Sequence, residues 1–104
     1  MIVIIESPFA GNRQENIRYA RRAMLDSLRR GEAPFASHLL YTQVLEDSLP
    51  IEREMGISAG FRFYSVATLC AVYRDMGVSP GMLRGIDVAL AAGLPIEYRE
   101  IGYG

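Results

Sequence analysis

Short apolar runs alternate with longer stretches of helical period along the chain. Ile2 to Ile5 is apolar throughout and is bounded by Pro8 and Gly11, the pattern of a central parallel strand. Asn12 to Arg30 reads as a helix, with Ile17, Ala20, Met24 and Leu28 on one face and Arg18, Arg21, Arg22, Arg29 and Arg30 largely on the other; Gly31 closes it. Pro34 to Tyr41 reads as a second strand, followed by a loop through Gln43, Glu46 and Asp47. Pro50 opens a second helix that runs to about Tyr64, with Glu52 and Glu54 in the first turn, where negative charge is favoured. Val66 to Tyr73 has the pattern of a strand buried on both faces, and Leu83 to Ala92 has helical composition, ended by Gly93-Leu94-Pro95. Ile96 to Ile101 makes a fourth strand.

This β-α-β-α-β-α-β order, with right-handed crossovers, predicts an α/β fold of three layers. Its four-stranded parallel sheet is flavodoxin-like, ordered 2-1-3-4, with helices on both faces. No repeat, linker or low-complexity run divides the chain, so residues 1–104 are expected to form a single domain. In such sheets ligands bind outside the carboxyl ends of the strands, where the winding direction switches, here between strands 1 and 3. That places the loop from Ser7 to Asn12 beside the loop from Asp75 to Met82, with one pocket between them.

Composition narrows the function classes. A formal charge of −1, with neither a basic tail nor a one-signed block, gives no electrostatic case for polynucleotide or membrane partners. The start of the chain turns polar at Glu6-Ser7-Pro8, too soon for a signal peptide, and a cytoplasmic setting is expected. The single cysteine, Cys70, lies mid-strand and reads as a small buried hydrophobe. With one histidine and one cysteine there is no cluster at metal-ligand spacing, and neither metal nor cofactor is expected. All 11 basic residues are arginine, so no lysine is available as Schiff-base nucleophile or P-loop cation.

The candidate chemistry sits in the two loops. Ser79 is a good N-cap, Pro80 suits the first helical position, and Gly81 leaves the first-turn amides unshielded, which favours an anion; an ordinary helix start without ligand has the same residues. In the first loop, Ser7, Pro8, Phe9, Ala10, Gly11 and Asn12 bring a hydroxyl, an aromatic ring and an amide to a strand end. Phe9 stacks on a base or plugs the core. Glu6 is a buried acid of raised pKa or a solvated end residue. His38 points into the pocket from strand 2 or rests hydrogen-bonded on a helix. Asp75 holds a ribose hydroxyl or bonds its own backbone as a turn residue. Gly77 and Met82 complete the second loop.

The succession of an N-terminal strand into Ser7-Pro8-Phe9-Ala10-Gly11, Glu52-Arg53-Glu54-Met55-Gly56, and Asp75-Met76-Gly77-Val78-Ser79-Pro80-Gly81-Met82 resembles the nucleoside 2-deoxyribosyltransferase-like superfamily, especially small phage and prophage members. The likeness covers nearly the whole chain. It implies that Ser79 and Gly81 hold a nucleotide's 5′-phosphate, that Ser7 to Asn12 line the base and sugar pocket, and that the protein forms a homo-oligomer. Family enzymes carry a nucleophilic glutamate about a helical turn beyond that serine, and here the position falls on Gly85. A glycine cannot attack the anomeric carbon, so the resemblance implies binding of a nucleotide-derived small molecule without turnover, such as a phage-type sponge that captures a nucleotide signal. The alternative is an N-glycosidic bond hydrolase or transferase in which Glu6, Glu52 or Asp75 replaces the lost glutamate. Gly85 in a helix costs about 1 kcal/mol relative to alanine, so a compensating contact is expected. Phe61, Phe63 and Tyr64 are candidates for a face toward a second subunit.

Overall fold

The strand β3, Leu69–Tyr73, is buried at all five residues, and the other elements are arranged around it. In the computed structural model, which describes residues 1–103, β1 (Ile2–Glu6) and β4 (Ile96–Arg99) flank β3, and β2 (Ala33–Phe35) pairs with the far side of β1. All pairings are parallel and the order is β2-β1-β3-β4, with Ile4 opposite Cys70 and Val72 opposite Tyr98.

The period-2 alternation of the strands divides the core in two. Val3, Ile5, Leu69, Ala71 and Tyr73 pack with Tyr19 and Ala23 of α1 (Arg13–Arg29). Ile4, Cys70 and Val72 pack with Met82, Ile86 and Ala89 of α4 (Pro80–Ala91) and with Tyr64. The expected three layers are therefore present, one helix on each face. Between β2 and β3 the chain forms a short α2 (Ser37–Leu40), a 3₁₀ turn at Tyr41–Gln43, α3 (Pro50–Phe61) and a second 3₁₀ turn at Arg62–Val66.

Three strands are shorter than the apolar pattern predicts; β3 begins at Leu69 and not at Val66, because Arg62–Val66 forms a 3₁₀ turn that leaves Val66 exposed. The run from Pro34 to Tyr41 yields only three residues of strand: β2 is an edge strand containing Pro34, which has no N–H to donate, and the backbone turns helical at Ser37. His38 is therefore on a helix and not on strand 2. The fourth strand stops at Arg99 because the amides beyond it bond elsewhere. Asp75 accepts hydrogen bonds from the backbone N–H groups of Ile101 (3.0 Å), Gly102 (2.9 Å) and Tyr103 (3.2 Å), and from the Tyr19 hydroxyl (2.6 Å). The edge is further held by Arg99, whose guanidinium is buried and donates to both Glu32 oxygens at 2.8 and 2.7 Å and to the Tyr73 hydroxyl at 3.0 Å.

Removal of the Asp75 carboxylate leaves three amides and a buried phenol without their acceptor. Asp75→Ala is expected to destabilise the domain by about 1–3 kcal/mol and to speed amide hydrogen exchange at residues 101–103 ahead of the rest of the sheet, as read by exchange mass spectrometry.

Candidate active site

A cavity of about 530 Å³ opens at the carboxyl end of β1, between the N-terminus of α4 and the α2–α3 segment. Small-molecule sites occupy roughly 300–1,000 Å³, so the space suits a ligand of nucleotide size. Both loops named from the sequence contribute to it, through Ser7, Phe9 and Ala10 from the first and Ser79, Gly81 and Met82 from the second.

Glu6 is the last residue of β1 and faces this cavity on the α4 side. The Tyr64 hydroxyl donates to Glu6 Oε2, and no other protein donor reaches the carboxyl among the described residues. Beneath it lies Gly85, where an added β-carbon would come within 2.6 Å of Glu6 Oε1, far inside van der Waals contact. Gly85 is thus the seat of a carboxyl arriving from another element. This is the close approach that the helical glycine required. Burial away from any cation raises the Glu6 pKa to about 7, and the Tyr64 hydrogen bond only partly opposes that rise. Tyr64 itself is buried, so of the three aromatics expected at a surface it faces inward, while Phe63 stacks on Phe35 at 4.0 Å between ring centroids. Burial, next to Glu6, also pushes the Cys70 thiol up to about 12, which leaves it an inert core residue.

The next residue of the chain points the other way. Ser7 Oγ shares a 2.7 Å hydrogen bond with His38 Nε2, and burial lowers the His38 pKa to about 4, so the imidazole is neutral at pH 7. Phe9 meets His38 edge-on at 6.3 Å, and the Arg13 guanidinium lies 5.1 Å from the Phe9 ring centroid.

At the opposite end, Ser79 caps α4 with its hydroxyl accepting from the Met82 amide at 3.3 Å, while the Met82 sulfur accepts from the Ser79 amide at 3.4 Å. Pro80 has no N–H and the Leu83 amide bonds the Ser79 carbonyl, so Gly81 holds the open donor of this first turn. Two arginines line the cavity. Arg84 is bound by Glu54 through contacts of 2.6 and 3.3 Å, whereas Arg53 has no carboxylate partner among the described residues.

Glu52, the other acid named beside Glu6, also lines the cavity, where its carboxylate accepts from the Glu46 amide at 2.9 Å, whereas four of the loop residues and Asp75 stand outside the lining. Asn12 caps α1 by accepting from the Glu15 amide at 3.3 Å, Gly11 and Gly77 supply turns with φ of +99° and +88°, and Pro8 is buried behind the loop. Asp75 is engaged by Tyr19 and the segment after β4; burial raises its pKa, but these hydrogen bonds outweigh that and hold it below the usual carboxylate value. Among the described residues no group of three or more His, Cys, Asp or Glu is placed to hold a metal ion, and no helix is long and apolar enough to cross a membrane. Tyr64, Arg53 and the seating of Glu6 on Gly85 are the parts that the sequence did not assemble. The glycine inside an otherwise good helix was the available signal.

The chain belongs to the family described as Domain of unknown function (DUF7768), whose model matches residues 1–99. No curated protein matches it by sequence. Among solved structures, the fold is similar to that of a 2-deoxyribosyltransferase from Bacillus psychrosaccharolyticus, with a TM-score of 0.77, 14% identity, and coverage of 100% of this chain and 76% of the other. It is also similar to the CMP N-glycosidase of Clostridium botulinum, with a TM-score of 0.59, 16% identity, and coverage of 100% and 75%. The fold is therefore 2-deoxyribosyltransferase-like.

The pKa values give a pH signature with a defined sign. Glu6 has a higher pKa folded than unfolded, so the folded state binds the extra proton between about 4.5 and 7, and stability falls as pH rises through that window. Glu6→Gln is expected to remove this loss and to melt above the wild type at pH 8, with the difference vanishing near pH 4. His38 acts in the opposite sense: its folded pKa lies below 6.5, so its contribution falls as pH drops toward about 4. Thermal unfolding of the wild type and of Glu6→Gln across pH separates the two.

Proposed function

We propose that the protein cleaves or transfers the N-glycosidic bond of a nucleotide-derived substrate, with Glu6 as the attacking carboxylate. The observation that carries this reading is the Glu6 carboxyl, seated over Gly85 and bonded by Tyr64 within the cavity wall. In this reading the carboxylate stands over the helix position to which the resemblance assigns the glutamate of 2-deoxyribosyltransferase-like enzymes. The two similar structures, a 2-deoxyribosyltransferase and a CMP N-glycosidase by their own descriptions, support this class of substrate and bond.

One Glu6 oxygen attacks C1′ of the sugar, the C1′–N bond breaks, and its electron pair leaves with the base, which takes a proton from water. A water molecule, or a nitrogen of a second base, then attacks C1′ and releases the carboxylate. Tyr64 fixes one oxygen by its hydrogen bond and leaves the other without a protein donor. Phe9 and the Ser7–His38 pair receive the base. Ser79, Gly81 and Arg53 receive the phosphate.

Capture of a nucleotide signal without turnover is the second reading, favoured by the lack of any acid on α4 at position 85. The two readings differ in product. Chromatography of free base after incubation with ribo- and deoxynucleoside 5′-monophosphates is expected to show release by the wild type. Release should rise with pH through about 7 as Glu6 ionises. Glu6→Gln should lower it by roughly 10³-fold or more while retaining ligand binding. Tight binding with no base released by the wild type would leave capture as the function.

Two further variants probe the seat. Gly85→Ala is expected to fold, since it gains about 1 kcal/mol of helix propensity against the cost of displacing a flexible carboxyl, yet to lose most activity. The exchanged pair Glu6→Gly with Gly85→Glu should recover part of it, because the carboxylate re-enters the same space from α4. Arg53→Ala should raise KM for phosphorylated substrates with little change in kcat.

A further inference from the structure

Away from the cavity, the outer face of α1 carries a second organised surface. Arg18, Arg22, Leu25 and Arg29 are spaced i, i+4, i+7 and i+11, which places all four within about 60° of one another around the helix and along about 16 Å of its length. Leu25 is 44% exposed, although it lies among charges. Arg22, Leu25, Arg29 and Ile101 enclose a recess of about 420 Å³ with Asp26 at its side.

The charges of this face are unbalanced. Arg18, Arg22 and Arg29 have no carboxylate partner among the described residues, like Arg21, Arg53 and Arg62, whereas Arg13, Arg30, Arg74, Arg84 and Arg99 each have at least one. Asp26 does not offset them, since its Oδ2 accepts from Arg30 Nε at 2.9 Å and from the Tyr73 hydroxyl at 2.7 Å. Ile101 is placed against the recess by the Asp75 hydrogen bonds to the segment after β4, and Arg22 lies 5.6 Å from the Tyr103 ring centroid. Cationic groups thus flank an open recess of mixed lining, whose apolar part is Leu25 and Ile101.

We infer that this face of α1 docks an acidic peptide segment that inserts an apolar side chain between two carboxylates. The charge pattern selects an anionic partner, and the apolar pair Leu25 and Ile101 between Arg22 and Arg29 selects one with a side chain to lay against them. A polynucleotide backbone has phosphates for the arginines but nothing for Leu25 and Ile101. A bilayer needs protruding apolar groups, and these line a depression. The inference does not rest on the chemistry assigned to the cavity.

Fluorescence anisotropy with a labelled helical peptide, in which glutamates flank a central leucine, tests it on the whole protein. The wild type should bind saturably. Arg22→Glu with Arg29→Glu, and separately Leu25→Asp, should each weaken binding roughly tenfold or more with unfolding temperatures near the wild type. A peptide with serine in place of the leucine should bind as poorly as the variants affect the parent. The inference is overturned by no binding to the wild type, by equal affinity for the serine peptide, or by equal or tighter binding of single-stranded DNA or phosphatidylserine vesicles.

Discussion

The contact between the Glu6 carboxyl and the backbone of α4 at Gly85 is the constraint around which the rest of the candidate site is arranged. A carboxylate is poorly tolerated away from water without a cation, and here its one protein donor is the Tyr64 hydroxyl. Two local rules are broken together, a glycine inside a helix and an acid at a buried strand end. Each explains the other. Such paired violations concentrate at functional sites, where stability is exchanged for reactivity. The position also agrees with the topology, because the end of β1 lies where the winding of a 2-1-3-4 sheet reverses.

The two faces of the sheet handle polar groups differently. On the α1 face, Tyr19 is matched by Asp75, Tyr73 by Asp26, and the buried Arg99 by Glu32, so each acid there has a donor or a cation. On the α4 face Glu6 has only a neutral phenol, and its proton affinity moves toward neutral pH. One side therefore stabilises the structure and the other holds an acid without a cation in a cavity. The 3₁₀ turn at Arg62–Val66 joins them to function by carrying Tyr64 over the end of β1.

Much of the fold was legible because buried parallel strands and amphipathic helices leave distinct periods in the sequence. The run Ile2–Ile5, the greater part of the run Val66–Tyr73, the helix face of α1 and the Ser79-Pro80 start of α4 appear at the positions their patterns imply, with Val66 to Thr68 lying ahead of β3. The segment after Pro34 was not legible. Four apolar residues around His38 fit a strand or a helix equally well, and only the tertiary setting decides. At the site, the sequence could offer Glu6 and Gly85 as separate oddities 79 positions apart. That one occupies the space vacated by the other follows from the packing of α4 on β1, and Tyr64, read as a surface aromatic, was drawn inward by the same packing. Asp75 illustrates the reverse case: its place at a strand end suggested a ligand, but the chain after β4 claims its lone pairs.

The most direct measurement is the mass of the protein itself during turnover. With 2′-fluoro nucleoside 5′-monophosphates, whose electron-poor sugars slow release of a glycosyl ester, intact-mass and peptide analysis should find one sugar phosphate added, carried on Glu6. Nucleotides that bind at the cavity yet leave the protein unmodified and the base attached, or a sugar found on any other residue, would contradict the account.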